Sequence, residues 1–136
     1  MSTYKAGCIC GAVQLEVTGD PAVQAICHCS SCRGWLSAPI HAAALWPRTS
    51  VKVTQGAGNL GLYKKTENSH RQFCRSCGSP VLVGHPGMGM TDVPAGSVAG
   101  RATYGYDVRL PGTIGDDVAD SIKAAAARGV AVRIAW

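Results

Sequence analysis

The sequence predicts a single, mainly β domain of short antiparallel strands, with a helix near its C-terminus. Its 136 residues, 46% of them hydrophobic, suit one domain with one core. Over residues 1–100, short apolar stretches alternate with turn signals, as in a β-rich fold. Seven cysteines lie in tight groups and point to metal sites, which would help a core with only 6% aromatic residues.

The strand signals begin at residues 12–17, where apolar and polar side chains alternate. Gly19-Asp20-Pro21 is a turn signal, and residues 22–26 form a short apolar run. Residues 39–46 fit either a buried strand or a helix, because periodicity does not separate the two for a short apolar run. Trp46-Pro47 ends this element, since the residue before a proline avoids helical geometry.

Further extended segments follow. Residues 51–53 indicate a strand, residues 56–58 a turn, and residues 60–63 a second extended segment. Residues 70–73 lead into a Cys-x-x-Cys turn, and residues 81–83 lead out of it.

The last part of the chain has a different pattern. Two acidic residues at 116–117 precede apolar residues at helical spacing, and Arg128 and Gly129 suit the end of a helix. Residues 130–136 then alternate as in a strand. We expect one domain over residues 1–136, in which this tail differs in character from the rest.

The cysteine spacing is the most informative feature. The groups are Cys8-x-Cys10, Cys27-x-Cys29-x-x-Cys32 and Cys74-x-x-Cys77. Thiols this closely spaced, in a chain without an export signal, are typical of metal ligands. The first and last pairs together could supply the four thiolates of a closed structural zinc site, although spacing alone does not show which pairs share an ion. The alternative for these four residues is two buried cysteines and a redox dithiol.

The middle group would leave one coordination position of a zinc ion open, because it supplies only three thiolates. His28 could be a fourth ligand. In an extended segment, however, it points away from the side that Cys27 and Cys29 share, so we expect it to be packed or to support the ligands. Disulfide pairing is the alternative for Cys27, Cys29 and Cys32, but it leaves one thiol over and makes a poor ring between the first two.

Three thiolates around Zn²⁺ give an anionic site, which is a weak Lewis acid and is poor at making hydroxide from water. A soft external thiolate is a natural fourth ligand, and binding would keep it nucleophilic near neutral pH. Arg33 directly follows Cys32 and could offset the negative charge. The site therefore predicts a thiol substrate that acts on an electrophile, or the reverse reaction.

Charge and hydropathy argue against other classes of function. The formal charge is +5, but two Zn²⁺ ions held by seven thiolates would lower it by three, to about +2. The basic residues are also scattered, so we expect no nucleic acid partner. No run of about 18 apolar residues exists, so we expect no membrane span, and the cytoplasm is the expected compartment.

Three segments of the chain resemble one known family. These are Gly7-Cys8-Ile9-Cys10-Gly11-Ala12-Val13, Cys27-His28-Cys29-Ser30-Ser31-Cys32-Arg33 and Arg71-Gln72-Phe73-Cys74-Arg75-Ser76-Cys77-Gly78-Ser79. All three are similar to the signatures of the glutathione-dependent formaldehyde-activating enzyme family, which also includes centromere protein V. The resemblance covers residues 4–98, and residues 100–136 diverge from it.

The resemblance implies a β-tent-type fold and two zinc ions per chain. It implies that Cys8, Cys10, Cys74 and Cys77 hold a structural zinc, and that Cys27, Cys29 and Cys32 hold a catalytic one. It also implies a carbon–sulfur lyase, similar to S-(hydroxymethyl)glutathione synthase. Such an enzyme adds glutathione or a similar thiol reversibly to formaldehyde or another small aldehyde.

Two arginines are candidate substrate-binding residues. Arg33 and Arg71 could bind the carboxylates of a glutathione-like ligand, since a guanidinium offers a bidentate fork, or they could simply be solvated. Two other functions compete with a lyase. The chain could be a scaffold module in which both metals are structural, or a thiol redox enzyme, which would need a free cysteine. The oligomeric state is left open.

Overall fold

The computed structural model describes residues 1–98, so the expected helix and strand of the tail lie outside the described residues. The described residues contain nine strands: Thr3–Gly7 (β1), Gln14–Thr18 (β2), Val23–Cys27 (β3), His41–Pro47 (β4), Val51–Gln55 (β5), Leu60–Thr66 (β6), Ser69–Cys74 (β7), Pro80–His85 (β8) and Met90–Pro94 (β9). They also contain an α-helix, α1, over Ser30–Leu36. Short 3-10 helices span Arg48–Ser50, Ala57–Asn59, Pro86–Met88 and Ala95–Ser97.

The strands form two antiparallel sheets, which confirms the mainly β prediction. One sheet has the order β1-β2-β5, and the other has the order β3-β4-β9-β8-β7-β6. The ambiguous residues 39–46 resolve as strand β4, because β3 and β9 pair with it on its two sides. With a strand on each side, β4 satisfies its backbone hydrogen bonds without forming a helix.

The core lies between the two sheets. Leu15 and Val17 of β2 are buried in one cluster with Trp46 of β4 and Val93 of β9. Since side chains alternate along a strand, the neighbours of these residues face the opposite side of each sheet. The larger sheet therefore has a second face, and Asp92 and His41 lie on it.

Three elements were not predicted from sequence. Strand β1 has one buried residue, Ala6, so apolar alternation does not reveal it. Strand β9 carries Asp92, which is buried although charged. Helix α1 is short and contains Gly34, a poor helix former. None of the described helices is long and apolar enough to cross a membrane.

Candidate metal centres

The first cysteine cluster joins the two sheets at one end. Cys8 and Cys10 lie in the connection between β1 and β2, whereas Cys74 ends β7 and Cys77 lies in the turn before β8. Their four sulfur atoms lie within 4.8 Å of one another. The Sγ atom of Cys10 is 3.5 Å from that of Cys8 and 3.8 Å from that of Cys74. Tetrahedral zinc with Zn–S bonds of about 2.3 Å requires sulfurs roughly 3.8 Å apart, so the cluster fits the ion.

Hydrogen bonds from nitrogen support the buried sulfurs of this cluster. The backbone N–H of Val13 donates to Cys8 Sγ at 3.2 Å, and the side-chain amide of Asn59 donates to Cys74 Sγ at 3.4 Å. Gly78 has φ +77°, and its N–H donates to the carbonyl of Cys74 at 2.8 Å, which closes the Cys-x-x-Cys turn. Such bonds orient thiolate ligands and stabilise their charge.

The thiols of this cluster differ in how readily they ionise when no cation is present. A hydrogen bond from the Ala12 amide favours the Cys10 thiolate, but the neighbouring thiols of Cys77 and Cys8 raise the pKa of Cys10 to about 12. The Ser79 hydroxyl and amide lower the pKa of Cys77 to about 6. Four thiolates can therefore coexist here only around a positive ion.

The second cluster forms where β3 passes into α1. Cys27 ends β3, Cys29 is the N-cap of α1, and Cys32 lies in its first turn. The backbone N–H of Cys32 donates to Cys29 Sγ at 3.3 Å, so the thiol takes the place of the usual capping oxygen. The three sulfurs lie within 4.8 Å of one another, and His28 is not in this group.

Ionisation is uneven in the second cluster as well. Burial opposes the Cys29 thiolate, but the Cys32 amide and the Cys27 thiol outweigh it and lower the pKa of Cys29. Burial and then the Cys29 thiol raise the pKa of Cys32 to about 12. A cation would again let all three sulfurs ionise, and three soft sulfur donors suit zinc with one position left open.

Arg71 connects the larger sheet to α1. It is 5% exposed and lies on β7. Its Nη1 and Nη2 atoms donate to the carbonyl and the hydroxyl of Ser31, at 3.0 and 2.7 Å. Its Nε atom donates to the Ser69 hydroxyl at 3.4 Å. The guanidinium thus binds Ser31, one of the two residues between Cys29 and Cys32. This buried position is not the solvent-facing one expected of a substrate ligand.

Aromatic rings continue the contact between α1 and the sheet. The ring of Trp35 stacks on that of Tyr63 with centroids 6.0 Å apart, and it meets Phe73 edge-on at 6.2 Å. The Arg71 guanidinium carbon lies 5.5 Å from the Trp35 ring centroid, within range of a cation–π interaction. These contacts fix α1 over the second face of the sheet.

Several buried polar atoms near the second cluster have no partner. Within residues 1–98, the Nδ1 atom of His28, the Nε atom of Arg33 and the Nε1 atom of Trp35 are buried without a hydrogen bond. The nitrogens of Arg33 and Trp35 can only donate. A ligand that carries carboxylate or carbonyl oxygens would satisfy them.

Sequence reasoning missed a buried pair on the same face of the sheet. The Nε2 atom of His41 is 2.6 Å from Oδ2 of Asp92, and the two residues are 5% and 4% exposed. His41 is the cross-strand partner of Cys27. The only sequence signal was an acidic residue within an otherwise apolar strand.

Comparison with known proteins identifies the family. The sequence model of the glutathione-dependent formaldehyde-activating enzyme matches residues 3–109. The chain belongs to this family. The resemblance found in the three cysteine segments is therefore confirmed.

Two individual proteins are similar to this family member. An uncharacterized lyase of Schizosaccharomyces pombe is 32% identical over 81 residues, which are 60% of this chain. The match spans 57% of that protein's length. The crystal structure of a Rhodobacter sphaeroides protein is similar with a TM-score of 0.55 and 28% identity, and the match covers 84% of this chain and 94% of that one.

Proposed function

We propose that this protein is a zinc-dependent carbon–sulfur lyase. It adds a thiol such as glutathione reversibly to formaldehyde or another small aldehyde, as S-(hydroxymethyl)glutathione synthase does. The observation that carries this proposal is the cluster of three sulfurs from Cys27, Cys29 and Cys32, which has no fourth cysteine, histidine or carboxylate ligand among residues 1–98. Such a ligand set leaves a place for a molecule from outside.

The two clusters have different proposed roles. Cys8, Cys10, Cys74 and Cys77 hold a structural zinc that joins the sheets, and Cys27, Cys29 and Cys32 hold the catalytic one. Zinc at the second cluster would lower the pKa of a substrate thiol and keep it available as a thiolate. The protein residues supply the sulfur donors, the fixed geometry of α1 and the donors that orient the substrate.

The reaction needs neither oxidant nor reductant. The thiolate sulfur forms a bond to the aldehyde carbon, and the π electrons of the carbonyl group move to oxygen. That oxygen takes up a proton equivalent to the one that the thiol lost, and the reverse reaction breaks the carbon–sulfur bond. Arg33 is proposed to bind a substrate carboxylate, since its buried Nε lacks a partner among the described residues. Arg71 stays a predicted substrate-binding residue, although each of its three guanidinium nitrogens already donates a hydrogen bond to a protein atom.

The proposed partners are small molecules. The scattered basic residues disfavour nucleic acid, and the cytoplasm, where glutathione is abundant and thiols stay reduced, is the proposed compartment.

The experiment measures metal content and the response to thiol. The wild-type protein is loaded with cobalt in the second site, and glutathione is added while the visible spectrum is recorded. We expect two metals per chain, a thiol-dependent spectral change, and faster exchange between glutathione and its formaldehyde adduct by NMR. Cys32→Ser is the control, which should retain one metal and lose both responses. Two metals with no thiol response would instead favour the scaffold module.

A further inference from the structure

We infer that Arg71 is a positioning residue for the second cluster: it is the buried counter-cation of the metal–thiolate group and the anchor of the segment between Cys29 and Cys32. The inference rests on the proposed function, because it requires a metal at that cluster. In this role Arg71 acts through Ser31 and through its own charge, and the role needs no contact with the substrate.

The first argument is charge. A guanidinium is always charged, and a buried charge is costly unless an opposite charge compensates it. Within residues 1–98, Asp92 contacts His41 and Glu67 contacts Lys64, and no described carboxylate lies within ion-pair distance of Arg71. Asp92 lies on the same face, but strand β8 separates it from Arg71, since both residues pair with Val83. The two side chains therefore start roughly 10 Å apart.

The second cluster, with a metal bound, supplies the negative charge that compensates Arg71. Three thiolates around Zn²⁺ carry a net charge of about −1, and a bound substrate thiolate raises this to about −2. Ser31 adjoins Cys32 in the chain and accepts two hydrogen bonds from Arg71. The guanidinium consequently lies within roughly 10 Å of the cluster.

The second argument is geometry. The two bonds to Ser31 form a fork that holds both the carbonyl and the hydroxyl of one residue. Trp35 lies against the same guanidinium, one turn further along α1. The first turn and the body of the helix are therefore tied to β7 through one side chain. This should fix the distance between the sulfurs of Cys29 and Cys32.

Substitution of Arg71 should have two separable effects. Loss of the two hydrogen bonds to Ser31 should let the sulfurs of Cys29 and Cys32 move relative to each other. Metal affinity at the second cluster should then fall by about 10–100-fold, the usual cost of removing a residue that supports metal ligands. Loss of the charge should weaken a thiolate ligand more than a neutral one. For unit charges roughly 10 Å apart at an effective dielectric constant near 20, the extra loss is about tenfold.

The experiment compares Arg71→Met and Arg71→Lys with Arg48→Met in full-length protein. Arg48 is exposed at the far end of β4, so its variant matches the change in net charge. Metal affinity of each cluster is measured by chelator competition, and cobalt spectra follow titration with glutathione and with imidazole, a neutral ligand. We expect Arg71→Met to weaken the second metal and to lower the preference for glutathione over imidazole. Arg71→Lys should restore the preference but not the metal affinity, and Arg48→Met should change neither.

The outcomes separate this inference from the proposed function. A wild-type protein that binds only one metal would contradict the proposed function. Two metals in the wild type, together with an Arg71→Met protein within about twofold of it in both measurements, would overturn the role of Arg71 alone. Unchanged metal affinity at the first cluster shows that each variant is folded. If both Arg71 variants fail to fold, Ser31→Ala tests the inference in their place. Loss of one hydrogen bond to a charged donor should lower the metal affinity of the second cluster roughly threefold or more, and an unchanged affinity would overturn the role of Arg71.

Discussion

Gly56 should be intolerant of any side chain, because the turn between β5 and β6 packs there against the backbone of Ala12 and Val13. Its φ is +73°, and a Cβ atom added there would lie 2.0 Å from the carbonyl oxygen of Ala12. The neighbouring contacts, to Ala12 C and Val13 Cα at 3.0 and 3.1 Å, are also backbone atoms and cannot rotate away. Substitution with alanine must therefore move the chain itself.

The expected cost of Gly56→Ala is the sum of two effects. A left-handed backbone costs an L-residue about 1–2 kcal/mol. Overpacking against a fixed neighbour costs about 1–3 kcal/mol. The free energy of unfolding should thus fall by about 2–5 kcal/mol. Displacement of Ala12 should also move the Val13 amide away from Cys8 Sγ, which it contacts at 3.2 Å, and weaken the first metal site.

The assay is urea denaturation of the metal-loaded protein, with metal affinity measured for each cluster. Gly58→Ala is the matched control, because Gly58 belongs to the same turn and has no atom within 4 Å of the added Cβ. It should stay within about 0.5 kcal/mol of the wild type. Equal stability of the two variants would refute the argument from close approach.

Three further outcomes test other parts of the structure. Cys32→Ser should remove one metal per chain by mass spectrometry and leave the cooperative unfolding of the rest intact; loss of both metals would contradict two independent sites. Cys74→Ser removes a fully buried cysteine of the first cluster, the proposed structural zinc site, so folding coupled to metal binding should fail. A circular dichroism melt would record this, and an unchanged melt would argue against a structural role. His41→Leu leaves the Asp92 carboxylate buried without its partner and should cost about 3–5 kcal/mol in urea denaturation. The double variant, in which Asp92→Leu is added, should recover most of that loss, and a purely additive result would count against the pair.

The parts of the fold that could be predicted from sequence are those with local signals. Strand β2 is visible because Val17 and Leu15 face the core while their neighbours face solvent. The division of the cysteines into two sets was implied by the family resemblance, because spacing alone does not show which pairs share one ion. The structure brings together the same two sets, and their grouping agrees with the prediction.

The unpredicted parts depend on contacts between distant residues. Asp92 is accommodated in β9 because His41 lies beside it, although 51 positions separate them in the chain. Arg71 was predicted to bind substrate on chemical grounds alone. Its contact with Ser31 spans 40 positions and could not be read from local pattern. Helix α1 escaped prediction because a cysteine, and not serine or aspartate, caps it.

The most direct test of the account is the number of sulfur atoms around the metal of the second cluster. Protein that carries zinc in the first site and cobalt in the second allows X-ray absorption at the cobalt edge to report that site alone. We expect about three sulfur neighbours without thiol and about four after glutathione is added. Four sulfur or nitrogen ligands from the protein before any thiol is added, with no change afterwards, would contradict an open thiolate site.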